Sequence, residues 1–320
     1  MADLDRTGAG ADGAPSSFLA GLAAQLARVE KFKDILDPAA VRRGSRLVTE
    51  FFRERRDALR HAAGLPAGPG SSALGRRLAA QDLARSRDVP LAVYSYWNTG
   101  AHDAPDIVRA CTAQLQRMHP GVRLLDAVSV RELIDIPSRI HTVLERDRPA
   151  HFADYVRSAL LDRYGGIWVD ATCWVPHPLG EVIRPLLSGG VLYPRWATGQ
   201  IGNWFIAAVP GSLVIRLQRA ALEMWWAERD DLPDYFLYHR IFEALRALIP
   251  EFRGQWSEAG HLSSASSHVL QLSMMEPWSA DVAGVIDQIS IVQKLSYKYD
   301  PASVPAGSIL QHLLTTRRLT

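Results

Sequence analysis

Apolar residues change their period along this chain, and the change divides it. From Ser17 to about Gln81 they recur at steps of three and four, as Leu19, Leu22, Leu26 and Val29, then as Val41, Leu47, Val48, Phe51, Phe52 and Leu59. This spacing lines one face of a helix, so the segment is expected to be helical. "GLPAGPGSSALG" breaks it with glycine, proline and serine. Near Val89 the texture becomes that of strands. Leu91 to Trp97 is a short apolar and aromatic run closed by Asn98, Thr99 and Gly100, which predicts a strand with a turn behind it. Pro105 opens a helix with Ile107, Cys111, Leu115 and Met118 on one face; "HPG" stops it, and "VRLLD" reads as a second strand. Strand, helix and strand within ~30 residues make a parallel crossover unit. The expected organisation is a disordered leader at 1–16, a helical segment at 17–88 and an α/β domain of nucleotide-binding type at 89–320. In such sheets ligands lie beyond the carboxyl ends of the strands, where Trp97 and Asn98 fall.

The stretch "DYVRSALLDRYGGIWVDAT", residues 154–172, concentrates the candidate chemistry. On a helix from about Phe152 to Tyr164, Ala153, Val156, Leu160 and Tyr164 share an expected core face. Asp154, Arg157, Ser158 and Leu161 share the neighbouring one. Gly165 and Gly166 supply a left-handed residue to end the helix and an abrupt entry into the strand "IWVD", with Asp170 at its carboxyl end. Asp154, Arg157 and Asp170 can then converge on one ligand. The plainer alternative is a weak Asp154–Arg157 surface pair. Further along, "GNWFIAAVPGS" at 202–212 reads as a buried strand and a turn, with Trp204 in the core. In "LPDYFLYHRIF" the aromatic residues look like packing. Asp234 either starts a helix after Pro233 or, with Tyr238 and His239, faces an acceptor.

Composition narrows the function classes. The formal net charge of +2 gives no overall field for nucleic acid. Cys111 and Cys173 make no disulfide framework, and a reduced, cytoplasmic setting fits them. The ten histidines show no zinc-type clustering. No apolar run approaches the ~20 residues of a membrane span. No secretion signal is read at the start. "GAGADGA" lacks the lysine of a phosphate loop. Arg42, Arg43, Arg46, Arg53, Arg55, Arg56 and Arg60 crowd the second helical stretch. They read either as the solvated face of a packed helix or as a peripheral attachment to the anionic inner face of a membrane.

The segment "FADYVRSALLDRYGGIWVDATCWVPHPL" resembles the sugar-nucleotide site of glycosyltransferases with a DXD-type motif, and more closely that of the capsular polysaccharide synthesis family. "YSYWNTG" followed by "APDIVRAC", "DYFLYH" and "KLSYK" are similar to that family's other blocks, so the resemblance spans roughly residues 89 to 300. It implies a GT-A fold and a hexosyltransferase, retaining by the habit of related enzymes. The reaction implied is transfer of a sugar from a nucleotide diphosphate donor, expected to be UDP-linked, to a saccharide or other hydroxyl acceptor. By the same resemblance Trp97, flanked by Tyr96 and Asn98, stacks on the base. Asp154, Arg157 and Asn203 hold the donor sugar, and Asp170 binds ribose and sugar. These residue types suit such contacts, because a carboxylate and a guanidinium fork select the orientation of sugar hydroxyls, and an indole offers a stacking face.

One departure from the family pattern stands out. The second acid of the DXD is replaced, because the sequence reads Asp170, Ala171, Thr172. In DXD enzymes that acid holds a divalent ion which neutralises the departing diphosphate. Two readings stay open. Mg²⁺ or Mn²⁺ is held by Asp170, Thr172 and a further unidentified residue, or a protein cation stands in for it. Lys294 and Lys298, expected on a loop, are the candidates to bind the diphosphate. The loss of the acid also raises an alternative function, a catalytically degenerate protein that binds a sugar nucleotide without turnover. A further rival is an interaction protein that works through its basic helices.

Overall fold

The computed structural model describes Gly21 and residues 37–320. The leader at 1–16 and the stripe of Leu19, Leu22, Leu26 and Val29 lie outside the described residues. In chain order the strands are β1 (Val93–Tyr96), β2 (Arg123–Leu125), β3 (Gly166–Val169), β4 (Cys173–Trp174), β5 (Val191–Arg195), β6 (Phe205–Ala208), β7 (Gly260–Ser263) and β8 (Gln293–Lys294). Six of them form one sheet in the order β2-β1-β3-β6-β5-β7, while β4 and β8 make a separate ladder. β1 runs parallel to β2 and β3, as the crossover unit predicts. β6 then enters antiparallel between β3 and β5, so the sheet is mixed.

The central strands are buried on both faces, and their side chains alternate between two clusters. Tyr94, Tyr96, Trp168, Ile206 and Ala208 pack on one side. Val93, Ile167, Val169, Phe205 and Ala207 pack on the other. Because alternate residues share a face, Asp170 follows Trp168 onto the first side, just past the carboxyl end of β3.

Helices cover both faces. α1 (Pro38–Glu54), α2 (Arg56–Ala62) and α3 (Ser72–Arg85) precede the sheet, and α4 (Asp106–Met118) is the crossover from β1 to β2. α5 (Ser138–Leu144) and α6 (Pro149–Tyr164) lead into β3, and α7 (Gly180–Leu186) follows β4. α8 (Leu213–Glu228), α9 (Leu237–Leu248) and α10 (Pro250–Glu258) lie between β6 and β7. α11 (Val269–Ser273), α12 (Ala280–Ile289) and α13 (Ile309–Thr316) complete the chain. This is the α/β class expected, a mixed sheet with flanking helices and a helical segment before it.

The stripe from Val41 to Leu59 predicts one helix; it is two. α1 ends at Glu54, Arg55 leaves helical geometry with φ −107° and ψ 11°, and α2 restarts at Arg56. Asp37 caps α1, its carboxylate accepting from the amides of Ala39 and Ala40 at 2.9 and 3.1 Å. Val48, Phe51 and Phe52 sink into the same core as Trp168 and Trp225, and Phe51 meets Trp225 edge-on at 5.0 Å. The arginines divide accordingly. Arg55 pairs with Glu228 at 2.6 Å, and Arg60 is buried against Glu251 at 2.6 Å. Arg42, Arg43, Arg46, Arg53 and Arg56 remain exposed. These helices are therefore packed elements with one solvated basic face. Among the described residues no helix is long and apolar enough to cross a membrane.

Candidate active site

The turn between α6 and β3 sets the geometry. Gly165 adopts φ 63° and ψ −157°. This is not the left-handed helical residue expected but an extended conformation at positive φ that only glycine tolerates well. At Gly166 a Cβ would lie 2.2 Å from the carbonyl oxygen of Ala92 on the strand side. So the chain reverses with no spare residue, and α6 lies directly on the sheet. α6 is buried from His151 to Leu161 apart from Ala153. The Asp154–Arg157 pair is consequently not on the surface.

Three charged side chains and a fourth from far along the chain form one array. Arg157 Nη1 lies 2.9 Å from Asp154 Oδ1, and Arg157 Nη2 donates to Asp170 Oδ1 at 3.0 Å. Trp168 Nε1 donates to the same Asp170 oxygen at 2.8 Å. Asp170 Oδ2 accepts from Lys294 Nζ at 2.9 Å. Lys294 also donates to Thr172 Oγ1 at 2.6 Å. Asn203 Nδ2 reaches Asp154 Oδ1 at 2.7 Å. Burial pushes the Asp170 carboxyl upward, but Lys294, Arg157 and the Trp168 hydrogen bond outweigh it and hold it below its ordinary value. Burial likewise disfavours the charges of Arg157 and Lys294, yet the carboxylates beside them raise both above their ordinary values. Asp170, Arg157 and Lys294 are thus each held in the charged form by the opposite charges beside them.

It forms the floor of a cleft of about 710 Å³. Tyr96, Trp97 and Asn98 line one end, where the β1 turn opens. Tyr96 donates to Asn98 Oδ1 at 2.7 Å, and the Trp97 ring meets Tyr297 edge-on at 5.3 Å. Asn203, Trp204, Lys294 and Lys298 line it too. Trp204 is 7% exposed, so it is a core residue with one edge on the cleft. Asp234 does not line the cleft. Its carboxylate accepts from the Phe236 amide at 2.6 Å and from Arg240 Nε at 3.0 Å, which organises the turn before α9 rather than starting the helix. Tyr238 is buried, its hydroxyl 2.9 Å from that of Tyr193. Lys294 is not on a loop but on β8, while Lys298 is exposed beyond it.

Sequence reasoning missed His151, Trp196, Tyr235 and His268 in the cleft wall. His151 Nδ1 stands 3.5 Å from Asp154 Oδ2, and its ring meets Tyr235 at 5.6 Å. The only local signal was the i, i+3 spacing of His151 and Asp154 on α6.

The donor set does not fit a divalent ion. Both oxygens of Asp170 and the Thr172 hydroxyl already accept from cations or an indole. A second carboxylate is missing where the DXD pattern has one. Among the described residues no group of three His, Cys, Asp or Glu side chains could hold a metal. Cys111 and Cys173 are buried free thiols, both pushed up by burial, the latter to about 12.

Residues 77–313 match the family described as capsular polysaccharide synthesis protein. The matched span contains the whole array, and the chain belongs to that family. No curated protein matches the chain. Among solved structures, a "PaToxG Glycosyltransferase" is similar at 14% identity over 61% of this chain and 92% of that one, with a TM-score of 0.37.

Proposed function

We propose that this member of the capsular polysaccharide synthesis family is a glycosyltransferase that takes a sugar from a UDP-linked donor to a hydroxyl of a saccharide acceptor. The observation that carries this reading is the Asp154–Arg157–Asp170 array on the cleft floor at the carboxyl end of β3. In α/β sheets that end is where nucleotides bind. In this reading the base stacks on Trp97. Asp154, with Asn203 behind it, takes sugar hydroxyls, and Asp170 orients ribose and sugar. Tyr235 and His151 stand on the acceptor side. Retention at the anomeric carbon is what related enzymes would lead one to expect.

One observation favours a second reading, binding without turnover: both oxygens of Asp170 are already engaged. The two are separated by incubating the protein with a panel of UDP-sugars and measuring UDP release beside calorimetric UDP binding. A transferase releases UDP slowly by hydrolysis of its donor and faster by transfer when an acceptor is present; a binder does neither. Stacking on an aromatic ring is worth ~1–3 kcal/mol, so Trp97→Ala should weaken UDP binding by about one to two orders of magnitude. Unchanged affinity would remove Trp97 from the site.

A further inference from the structure

Lys294 reaches the array by design of the backbone, not by the accident of a flexible chain. β8 pairs antiparallel with β4, which puts Lys294 opposite Cys173 and Gln293 opposite Trp174. The Leu295 amide adds a bond to the Thr172 carbonyl at 2.9 Å. Gln293 is wholly buried; its Oε1 accepts from the Leu270 amide at 3.1 Å and its Nε2 donates to the Ser266 carbonyl at 3.2 Å. The strand that carries Lys294 is therefore fixed on both sides against the Asp170–Thr172 segment.

The ammonium then sits where the missing acid matters. Of its three protons, one goes to Asp170 and one to Thr172. The side chain is 20% exposed and lines the cleft, so the third faces ligand space. Thr172 has the right chemistry for this neighbour, since its hydroxyl accepts from an ammonium. A second carboxylate there would instead have called for a more highly charged ion. Arg157 cannot fill this role, because it is 5% exposed and bridges the two acids.

We propose, resting on the transferase reading above, that Lys294 stands in place of the divalent cation and that donor binding and transfer need no metal. In the step, the bond between the anomeric carbon and the β-phosphate oxygen breaks and its electron pair stays on that oxygen. The acceptor hydroxyl oxygen bonds to the carbon and its proton passes to the phosphate oxygen. Lys294 keeps its protons and offsets the charge that develops on the departing diphosphate. A preorganised cation at that point stabilises the transition state more than the ground state.

The test measures UDP binding by calorimetry and UDP-sugar turnover, each in EDTA and in Mn²⁺, together with Mn²⁺ uptake by electron paramagnetic resonance. The native protein is expected to bind UDP equally in both, to turn over in EDTA and to take up no Mn²⁺ at the site. Lys294→Ala should lose UDP affinity by roughly tenfold or more, the loss of a charge-assisted contact, and Lys294→Arg should restore most of it. The native-protein measurements stand even where Lys294→Ala does not fold. Metal-dependent UDP binding by the native protein, or native affinity in Lys294→Ala, overturns the lysine role and leaves the donor reading intact. No UDP binding under either condition overturns the donor reading, and the proposal with it.

Discussion

Asn203 donates to the same Asp154 oxygen that forms the ion pair with Arg157 Nη1, at 2.7 Å beside 2.9 Å. The contact follows from the sheet. β6 lies antiparallel to β3, and the Asp170 amide bonds the Trp204 carbonyl at 2.9 Å, so the residue before Trp204 is delivered to α6. Under the proposed transferase reading, Asn203 thus fixes which lone pairs of Asp154 are left for a sugar hydroxyl.

Asn203→Ala is the mild probe of the proposed donor-sugar end, because it removes a neutral partner and leaves the ion pairs in place. Turnover of the UDP-sugar should fall about tenfold or more while UDP affinity holds, since the lost positioning acts on the reacting part. Calorimetry with UDP and single-turnover kinetics with the donor make the comparison. Equal losses in both would mean that Asp154 does not address the sugar. Arg157→Ala is a poor probe, for it removes the cation shared by Asp154 and Asp170 and disturbs both carboxylates at once.

How far the sequence led depends on the range of the interactions. β1, α4, β2 and the α6–β3 turn were legible, because each is written in a local period or a glycine pair. The convergence of Asp154, Arg157 and Asp170 was legible for the same reason: one helix and the strand after it carry all of them. Lys294 was legible only as a residue type. Its place depends on pairing two-residue strands that lie more than a hundred residues apart, and a strand that short has no period to read. Asp234 looked like a helix start because it follows proline, but Arg240 and the Phe236 amide claim its carboxylate. The break at Arg55 was hidden because the apolar spacing continues across it; a tertiary partner, Glu228, sits at the break.

The pair of Arg60 and Glu251 makes a prediction about the helices before the sheet. The two side chains are 5% and 0% exposed. Glu251 also accepts from the Ser71 amide at 3.2 Å, and Arg60 donates to the Pro66 carbonyl at 2.9 Å. One buried carboxylate therefore ties α2, the loop after it and α10 together. Arg60→Met strands that carboxylate and should cost about 3–5 kcal/mol in urea unfolding. Arg60→Met combined with Glu251→Gln should recover a good part of it, because the uncompensated charge is gone. A loss below ~1 kcal/mol in the single variant would show that α2 is not part of the cooperative core.

Two cleft histidines set the expected dependence of stability on pH. Among the described residues His239 Nδ1 has no hydrogen-bond partner, and the ring lies against Phe236 and Tyr238 at 5.4 and 6.0 Å. His268 is held between Trp196 and Trp204, its Nδ1 2.6 Å from the Ser264 carbonyl. Burial lowers each to about 4 from an ordinary 6.5. Asp154 and Asp234 pull His239 upward against Arg157 and Arg240, while the Ser264 carbonyl pulls His268 upward against Lys294; in both, burial wins. The folded pKa therefore lies below the unfolded one. As pH falls below 6.5 the unfolded chain takes up protons that the folded chain refuses, so stability is lost between about 6.5 and about 4. Each histidine can contribute a slope of at most ~1.4 kcal/mol per pH unit. Asp170 does not mask this window. Its depressed carboxyl contributes stability above its ordinary 3.8 and loses it only at lower pH. Urea unfolding at a series of pH values from about 7 to ~4.5 measures the slope, and His239→Asn and His268→Asn should each flatten it by about one proton. A native slope of zero across that range, or variants that keep the native slope, would show that these rings already find water and titrate as exposed histidines do.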